Sequence, residues 1–175
     1  KAQNNLAAMY YHGLGVTQSD VKACEWFNKS AVQGNVNAQY SLAMMYYDGR
    51  GVAQSDVKAF EWFSKSEAKR GMAAAQYGLG IMYDKGRGVA QSDVKAFEWY
   101  SKSAAQGHVD AQYNLAVMYE TGKGTSKNTI LANEWYLKAA DNGDAMAQFN
   151  IGNNYLYGRN GLPKNRTQAL KWFKK

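Results

Sequence analysis

The sequence predicts an all-α fold, an α/α solenoid of about five helix–turn–helix repeats of 36–37 residues. Three series of residues predict it. Trp26, Trp62, Trp99, Trp135 and Trp172 recur at steps of 36, 37, 36 and 37. Ala38-Gln39-Tyr40 returns as Ala75-Gln76-Tyr77, Ala111-Gln112-Tyr113 and Ala147-Gln148-Phe149, and Ala2-Gln3-Asn4 opens the series. Glycine pairs keep the same register at Gly13/Gly15, Gly49/Gly51, Gly86/Gly88, Gly122/Gly124 and Gly158/Gly161. Single glycines at Gly34, Gly71, Gly107 and Gly143 follow the same period. The expected organisation is a single repeat domain over 1–175, with units at about 1–35, 36–71, 72–108, 109–144 and 145–175, forming part of a longer protein.

Each unit resolves into two helices. The first, helix A, is expected from about Ala38 to Tyr47 in the second unit. Ala38, Leu42, Met45 and Tyr46 fall at i, i+4, i+7 and i+8 and share one face. Gly49-Arg50-Gly51 ends it, since glycine enters the left-handed region without a Cβ penalty. The second, helix B, starts at a good N-cap in every unit: Ser19, Ser55, Ser92, Asn128 and Asn165. Asp20, Asp56 and Asp93 follow, where negative charge suits the helix start. Helix B is expected to carry Ala59, Trp62 and Phe63 inward, with the tryptophan ladder as core. Glu25–Lys29, Glu61–Lys65, Glu98–Lys102 and Glu134–Lys138 are i, i+4 pairs that mark its exposed side. Helices this short are marginal alone in water, so stability must come from stacking unit on unit.

Composition narrows the function classes. The chain is 46% apolar and 14% aromatic, so disorder is not expected. No apolar run approaches the length that spans a bilayer, and no membrane partner is expected. Cys24 is the one cysteine, so there is no disulfide framework. The net charge of +7 is unevenly placed: +1, +1, +1, −2 and +6 over the five units. The excess comes from Arg159, Lys164, Arg166, Lys171, Lys174 and Lys175. A nucleic-acid groove would spread its charge along every repeat, so no nucleic-acid partner is expected.

The pattern Ala-Gln-Tyr-x-Leu-Ala/Gly-x-Met-Tyr, then Gly-x-Gly-Val, then Lys-Ala-x-Glu-Trp-Phe/Tyr-x-Lys resembles the Sel-one-like repeat, a relative of the tetratricopeptide repeat. The middle copy reads Ala75 to Tyr83, then Gly86 to Val89, then Lys95 to Lys102. The resemblance covers essentially the whole chain. It implies a right-handed superhelical solenoid acting as an adaptor, in a family that is often bacterial and includes exported proteins, periplasmic or secreted. It leaves the cytoplasm open. The cysteine-rich branch of the family is disfavoured by the single thiol. Two departures stand out: one extra residue in Ser66-Glu67-Ala68-Lys69-Arg70, and one in the loop from Gly158 to Pro163.

No catalytic constellation emerges. His12 and His108 sit at different positions of different repeats, His12 at the end of a helix A and His108 where it could cap the next one. Two isolated histidines and one cysteine do not supply a metal site, and nothing pairs a nucleophile with a base. The Gly-x-Gly motifs end a helix and lack the later elements of a nucleotide fingerprint. Neither enzyme activity nor a cofactor is expected.

The positions that differ between copies point to function, because those that stay fixed are the ones stacking needs. In helix A the variable positions are spaced i, i+4, i+7, i+11 and form one stripe. By resemblance, helix A lines a concave groove, so the candidate partner-binding residues are Asn5, Ser41, Met44, Asp48, Ile81, Lys85, Asp110, Asn114, Val117, Thr121, Asn150, Asn153 and Tyr157. Tyr11, Tyr47, Asp84, Glu120 and Leu156 are the expected rim. That these positions vary only because they are exposed stays open. The expected function is a protein- or peptide-binding scaffold. The competing class is a structural spacer, self-associating end to end.

Overall fold

The computed structural model describes the backbone of residues 1–175 and every side chain except those of 68–70. The helices are α1 (Ala2–His12), α2 (Asp20–Val32), α3 (Val36–Asp48), α4 (Asp56–Arg70), α5 (Ala73–Lys85), α6 (Asp93–Ala105), α7 (Val109–Thr121), α8 (Thr129–Asp141), α9 (Ala145–Tyr157) and α10 (Arg166–Phe173). Odd-numbered helices are the A helices and even-numbered ones the B helices. They form two compact units, residues 1–91 and 92–175. Among the described residues, no helix is long and apolar enough to cross a membrane.

The helix boundaries follow local chemistry. All five expected N-caps of helix B accept a backbone N–H, as Ser19 Oγ does from Lys22 at 3.3 Å and Asn128 Oδ1 from Leu131 at 3.0 Å. Helix A starts earlier than expected, at Val36, because Asn35 Oδ1 accepts from Ala38 N at 3.0 Å. The Gln of the Ala-Gln-Tyr motif has a specific task. Gln39 Nε2 donates to the Ala31 carbonyl at 3.1 Å, and Gln148 Nε2 to the Ala140 carbonyl at 3.1 Å, so a buried or half-buried side chain satisfies the end of the preceding helix B.

In the first unit of structure the core gathers Ala7, Ala23, Phe27, Ala31, Ala38, Leu42 and Met45. In the second it gathers Ala116, Ala132, Tyr136, Ala139, Ala140, Ala147 and Ile151. The repeated alanines let helices approach closely, while Phe27, Leu42 and Met45 in one unit and Tyr136 and Ile151 in the other fill the remaining space.

The large inward residue of helix B is not the tryptophan. Phe27, Phe63, Tyr100 and Tyr136, each one position later, are buried, whereas all five tryptophans are half-buried. One residue is a 100° rotation, and apolar character alone does not rank two neighbours on a helix. Each indole face is covered by the lysine three residues on. Lys29, Lys65, Lys102, Lys138 and Lys175 lie 4.2, 4.1, 4.1, 3.8 and 3.9 Å from the ring centroids of Trp26, Trp62, Trp99, Trp135 and Trp172. The lysines expected to pair with glutamates therefore turn to the indole.

The two departures have simple structural outcomes. The extra residue of the second unit lengthens its helix B: α4 has 15 residues, where α2, α6 and α8 have 13. The side chains of 68–70 in that stretch lie outside the described residues. The extra residue of the fifth unit places Asn160 at φ 54°, the one non-glycine residue at positive φ among those described.

Candidate partner-binding surface

The helix-A residues divide by phase. Ala38, Leu42 and Met45 on α3 are buried, as are Ala111, Leu115 and Met118 on α7. The stripe lies one residue earlier in phase, about 100° round the helix. In the first unit of structure Asn5, Asp48 and Lys85 are exposed, and Ser41, Met44 and Ile81 are half-buried. In the second, Asp110, Thr121 and Tyr157 are exposed, and Asn114, Val117, Asn150 and Asn153 are half-buried. None of the thirteen is buried.

Part of the stripe borders a concavity. Between α1 and α3 a cavity of about 330 Å³ is lined by Asn4, Ala8, Tyr11 and His12, by Phe27 of α2, and by Asn37, Tyr40, Ser41 and Met44. Its lining mixes aromatic, thioether, amide and hydroxyl groups and contains no carboxylate. Asn4 Oδ1 is shielded from solvent and has no hydrogen-bond partner among the described residues.

The expected rim has a different job, at least at Tyr11, Tyr47 and Glu120. Arg50, the middle residue of a Gly-x-Gly loop, reaches back to the preceding repeat. Its Nη2 lies 2.9 Å from Asp20 Oδ1, its Nε 3.2 Å from Asp20 Oδ2, and its guanidinium lies 4.2 Å from the Tyr11 ring centroid. Arg50 Nη1 also donates to the Tyr11 hydroxyl. Arg87 repeats the arrangement, with Nε 3.0 Å from Asp56 Oδ1, Nη2 donating to the Tyr47 carbonyl at 3.1 Å, and its guanidinium 3.7 Å from the Tyr47 centroid. Hydrogen bonding to the aspartates raises both arginine pKa values above the ordinary one. In the second unit of structure Lys123 pairs with Asp93 at 3.3 Å. These rim residues tie repeat to repeat, so they are committed to the scaffold.

Where the fourth repeat meets the fifth, amides and a tyrosine hydroxyl gathered on the Glu120 carboxylate take over the same task. Asn160 Nδ2 donates to Glu120 Oε1 at 2.9 Å, and the Tyr136 hydroxyl donates to Glu120 Oε2 at 2.8 Å. Asn154 Nδ2 donates to Asn133 Oδ1 at 2.8 Å, and Asn133 donates to the Asn160 carbonyl. Burial, reinforced by Glu120, pushes the Tyr136 hydroxyl pKa far up. Asn150, a stripe residue, acts on the Tyr136 hydroxyl in the opposite direction to burial and Glu120, so it borders this network.

Nothing in the described residues converges into a metal site: no three His, Cys, Asp or Glu side chains cluster. His108 is the N-cap of α7, its Nδ1 accepting from Ala111 N at 3.4 Å, and burial lowers its pKa. The Cys24 thiol is buried, and burial raises its pKa, which keeps it protonated and unreactive.

Relatives of known structure place this architecture. The family model described as Sel1 repeat matches residues 1–35, 36–69, 73–108, 109–144 and 145–175, which is nearly the whole chain. The chain belongs to the Sel1 repeat family. A protective antigen of uropathogenic Escherichia coli displaying an SLR fold is 34% identical with a TM-score of 0.92, over 99% of this chain and 37% of that one. A Sel1 repeat protein from Oxalobacter formigenes is 31% identical with a TM-score of 0.90, over 99% of this chain and 68% of its own. A putative Sel1 repeat protein from Klebsiella pneumoniae, 21% identical with a TM-score of 0.60 over 98% of this chain and 82% of that one, shares the fold. No curated protein matches the sequence. The chain thus spans little over a third of the E. coli antigen's length. Sel1 repeats are helical solenoid scaffolds that generally bind proteins, and the all-α repeat solenoid expected from the sequence is the fold found.

Sequence reasoning missed the Asp–Arg locks, although a signal was present. The middle loop residue is basic at Arg50, Arg87 and Lys123, each following a helix B that begins with Asp, and it is Leu14 in the first repeat. It also missed the cavity beside Asn4.

Proposed function

We propose that this Sel1 repeat chain is a non-catalytic scaffold that binds a protein or peptide through the helix-A stripe. The observation that carries this reading is a division of labour on helix A. The buried phase is core, and Tyr11, Tyr47 and Glu120 on the rim hold neighbouring repeats. The stripe phase is left accessible, and Ser41 and Met44 open onto a cavity. Its mixture of Met44, Ile81 and Val117 with Asn114, Asn150 and Asn153 offers apolar contact together with amide groups that match a polypeptide backbone.

The test compares partner capture by the intact chain and by stripe variants. Asn114→Ala with Asn153→Ala is the pair of choice, because Asn150 also borders the Tyr136 hydroxyl. Loss of a partner held by the intact chain, with the melting temperature unchanged, supports the reading. Retention by this pair, with loss caused by surface changes on helix B, contradicts it. Reversible self-assembly in sedimentation, with no partner bound, would instead favour the spacer.

A further inference from the structure

The cavity between α1 and α3 has a specific shape because one repeat departs from the others. The residue after the motif glutamine is Tyr40, Tyr77, Tyr113 or Phe149 in four repeats and Asn4 in the first. In three of these four repeats its ring lies against the aromatic residue at the Phe63 position of the same repeat's helix B. Tyr40 lies 5.9 Å from Phe63, Tyr113 5.7 Å from Tyr136, and Phe149 6.1 Å from Phe173, centroid to centroid. In the first repeat the corresponding inward residue is Phe27. It meets Tyr11 edge-on at 6.3 Å, and Asn4 offers it no ring. Asn4 and Phe27 instead line the same cavity.

We propose that this cavity is an anchor subsite for one aromatic side chain, phenylalanine or tyrosine, of a polypeptide partner. The inference rests on the scaffold reading above and deepens it. The incoming ring supplies in trans what the other repeats supply from their own chain. It meets Phe27 and Tyr40 as ring neighbours, and the Met44 thioether completes an aromatic-compatible wall. The volume of about 330 Å³ is at the low end of ligand pockets, right for one side chain and too small for an extended ligand. Asn4 Oδ1 has no partner in the unliganded chain, and a turn of this half-buried amide into the cavity lets it accept the backbone N–H of the residue that donates the ring. With no carboxylate in the lining, the pocket does not select a cationic side chain.

The experiment titrates the whole chain with N-acetyl-phenylalaninamide, N-acetyl-tyrosinamide and N-acetyl-leucinamide at millimolar concentration, followed by NMR. The aromatic amides are expected to shift resonances of residues lining the cavity and to bind roughly threefold to tenfold more tightly than the leucine amide. Asn4→Tyr restores the residue type of the other repeats and fills the space from within. It should abolish these shifts while leaving the helical spectrum unchanged. Asn4→Ala keeps the space and removes the acceptor, so it should weaken binding roughly twofold to tenfold without abolishing it. No shift by the aromatic amides, equal binding of leucine, shifts mapping away from residues 4–44, or undiminished binding by Asn4→Tyr would each overturn the subsite. If Asn4→Tyr binds normally while Asn114→Ala with Asn153→Ala loses the captured partner, the subsite fails and the scaffold reading stands.

Discussion

Arg50 and Asp20, thirty residues apart in sequence, meet through two hydrogen bonds of 2.9 and 3.2 Å, and the guanidinium carbon lies 4.2 Å from the ring centroid of Tyr11 in the same earlier repeat. A planar fork is required for both contacts at once, so lysine is not an equivalent replacement. Both partners are about a third exposed, which limits the contribution of the charge pair. Arg50→Ala should cost about 0.5–1 kcal/mol, and Arg50→Lys should recover only part of it. A double-mutant cycle with Asp20→Asn should give a coupling that shrinks as salt is raised. Additive effects would show that the pair contributes nothing.

The loop carrying Arg50 can lie this close because of the glycine that follows it. A Cβ at Gly51 would overlap the Asp20 carbonyl, and one at Gly88 would overlap that of Asp56. Gly88→Ala should therefore cost more than about 2 kcal/mol, combining backbone displacement with strain at φ 69°. Gly107 also has positive φ but nothing within 4 Å of an added Cβ. Gly107→Ala should cost about 1–2 kcal/mol, from backbone conformation alone. Chemical denaturation of the two variants separates the steric contribution.

The buried residue of helix B and its half-buried neighbour should respond differently to truncation. Phe63 is 1% exposed, so Phe63→Ala should cost about 3–5 kcal/mol. Trp62→Ala removes a larger side chain but should cost about half as much, because part of the indole already faces solvent beneath Lys65. Comparing their urea midpoints decides which series is the core.

His108 predicts a pH response. Burial lowers its pKa, so as pH falls through the ordinary value of 6.5 the unfolded chain takes up a proton before the folded chain does. This share of stability is fully present above that value and is lost below it. Protonation also removes the Nδ1 lone pair that accepts from Ala111 N. Asparagine caps the corresponding helix at Asn35, so His108→Asn should keep the cap and flatten the acid side of the melting-temperature profile. An unchanged profile would remove His108 from the account.

Asn133 and Asn154 occupy positions held by Phe60 and Phe97, and by Met45, Met82 and Met118, in other repeats. Each single replacement by the apolar residue leaves its partner's buried amide short of a hydrogen bond and should cost about 1–3 kcal/mol. Asn133→Phe combined with Asn154→Met should cost less than the sum, with a coupling of about 1 kcal/mol or more. Thermal melts of the three variants check this.

The fold was legible because a repeat shows its rules several times over. Glycine pairs, N-caps and the Ala-Gln-Tyr motif each state a local backbone requirement, and these translate directly into helix ends. The phase of helix B was less legible, since Trp62 and Phe63 are both apolar and only packing decides which is buried. The locks required pairing residues about thirty apart. Their signal, basic loop residues following aspartate-initiated helices, lies in comparison between repeats and not within any one of them. The same comparison would have exposed Asn4, whose importance comes from the ring it lacks. Asn150 looked like a free groove amide because no local pattern reveals the Tyr136 hydroxyl beside it.

Methyl NMR of the chain with its captured partner decides whether that partner sits on the helix-A stripe. Met44, Ile81 and Val117 report on the stripe, while Val57, Val94 and Ile130 are exposed reporters on helix B. Shifts and broadening of the first three methyl sets are expected, with the second three unmoved. Changes confined to Val57, Val94 and Ile130 would contradict a partner on the stripe.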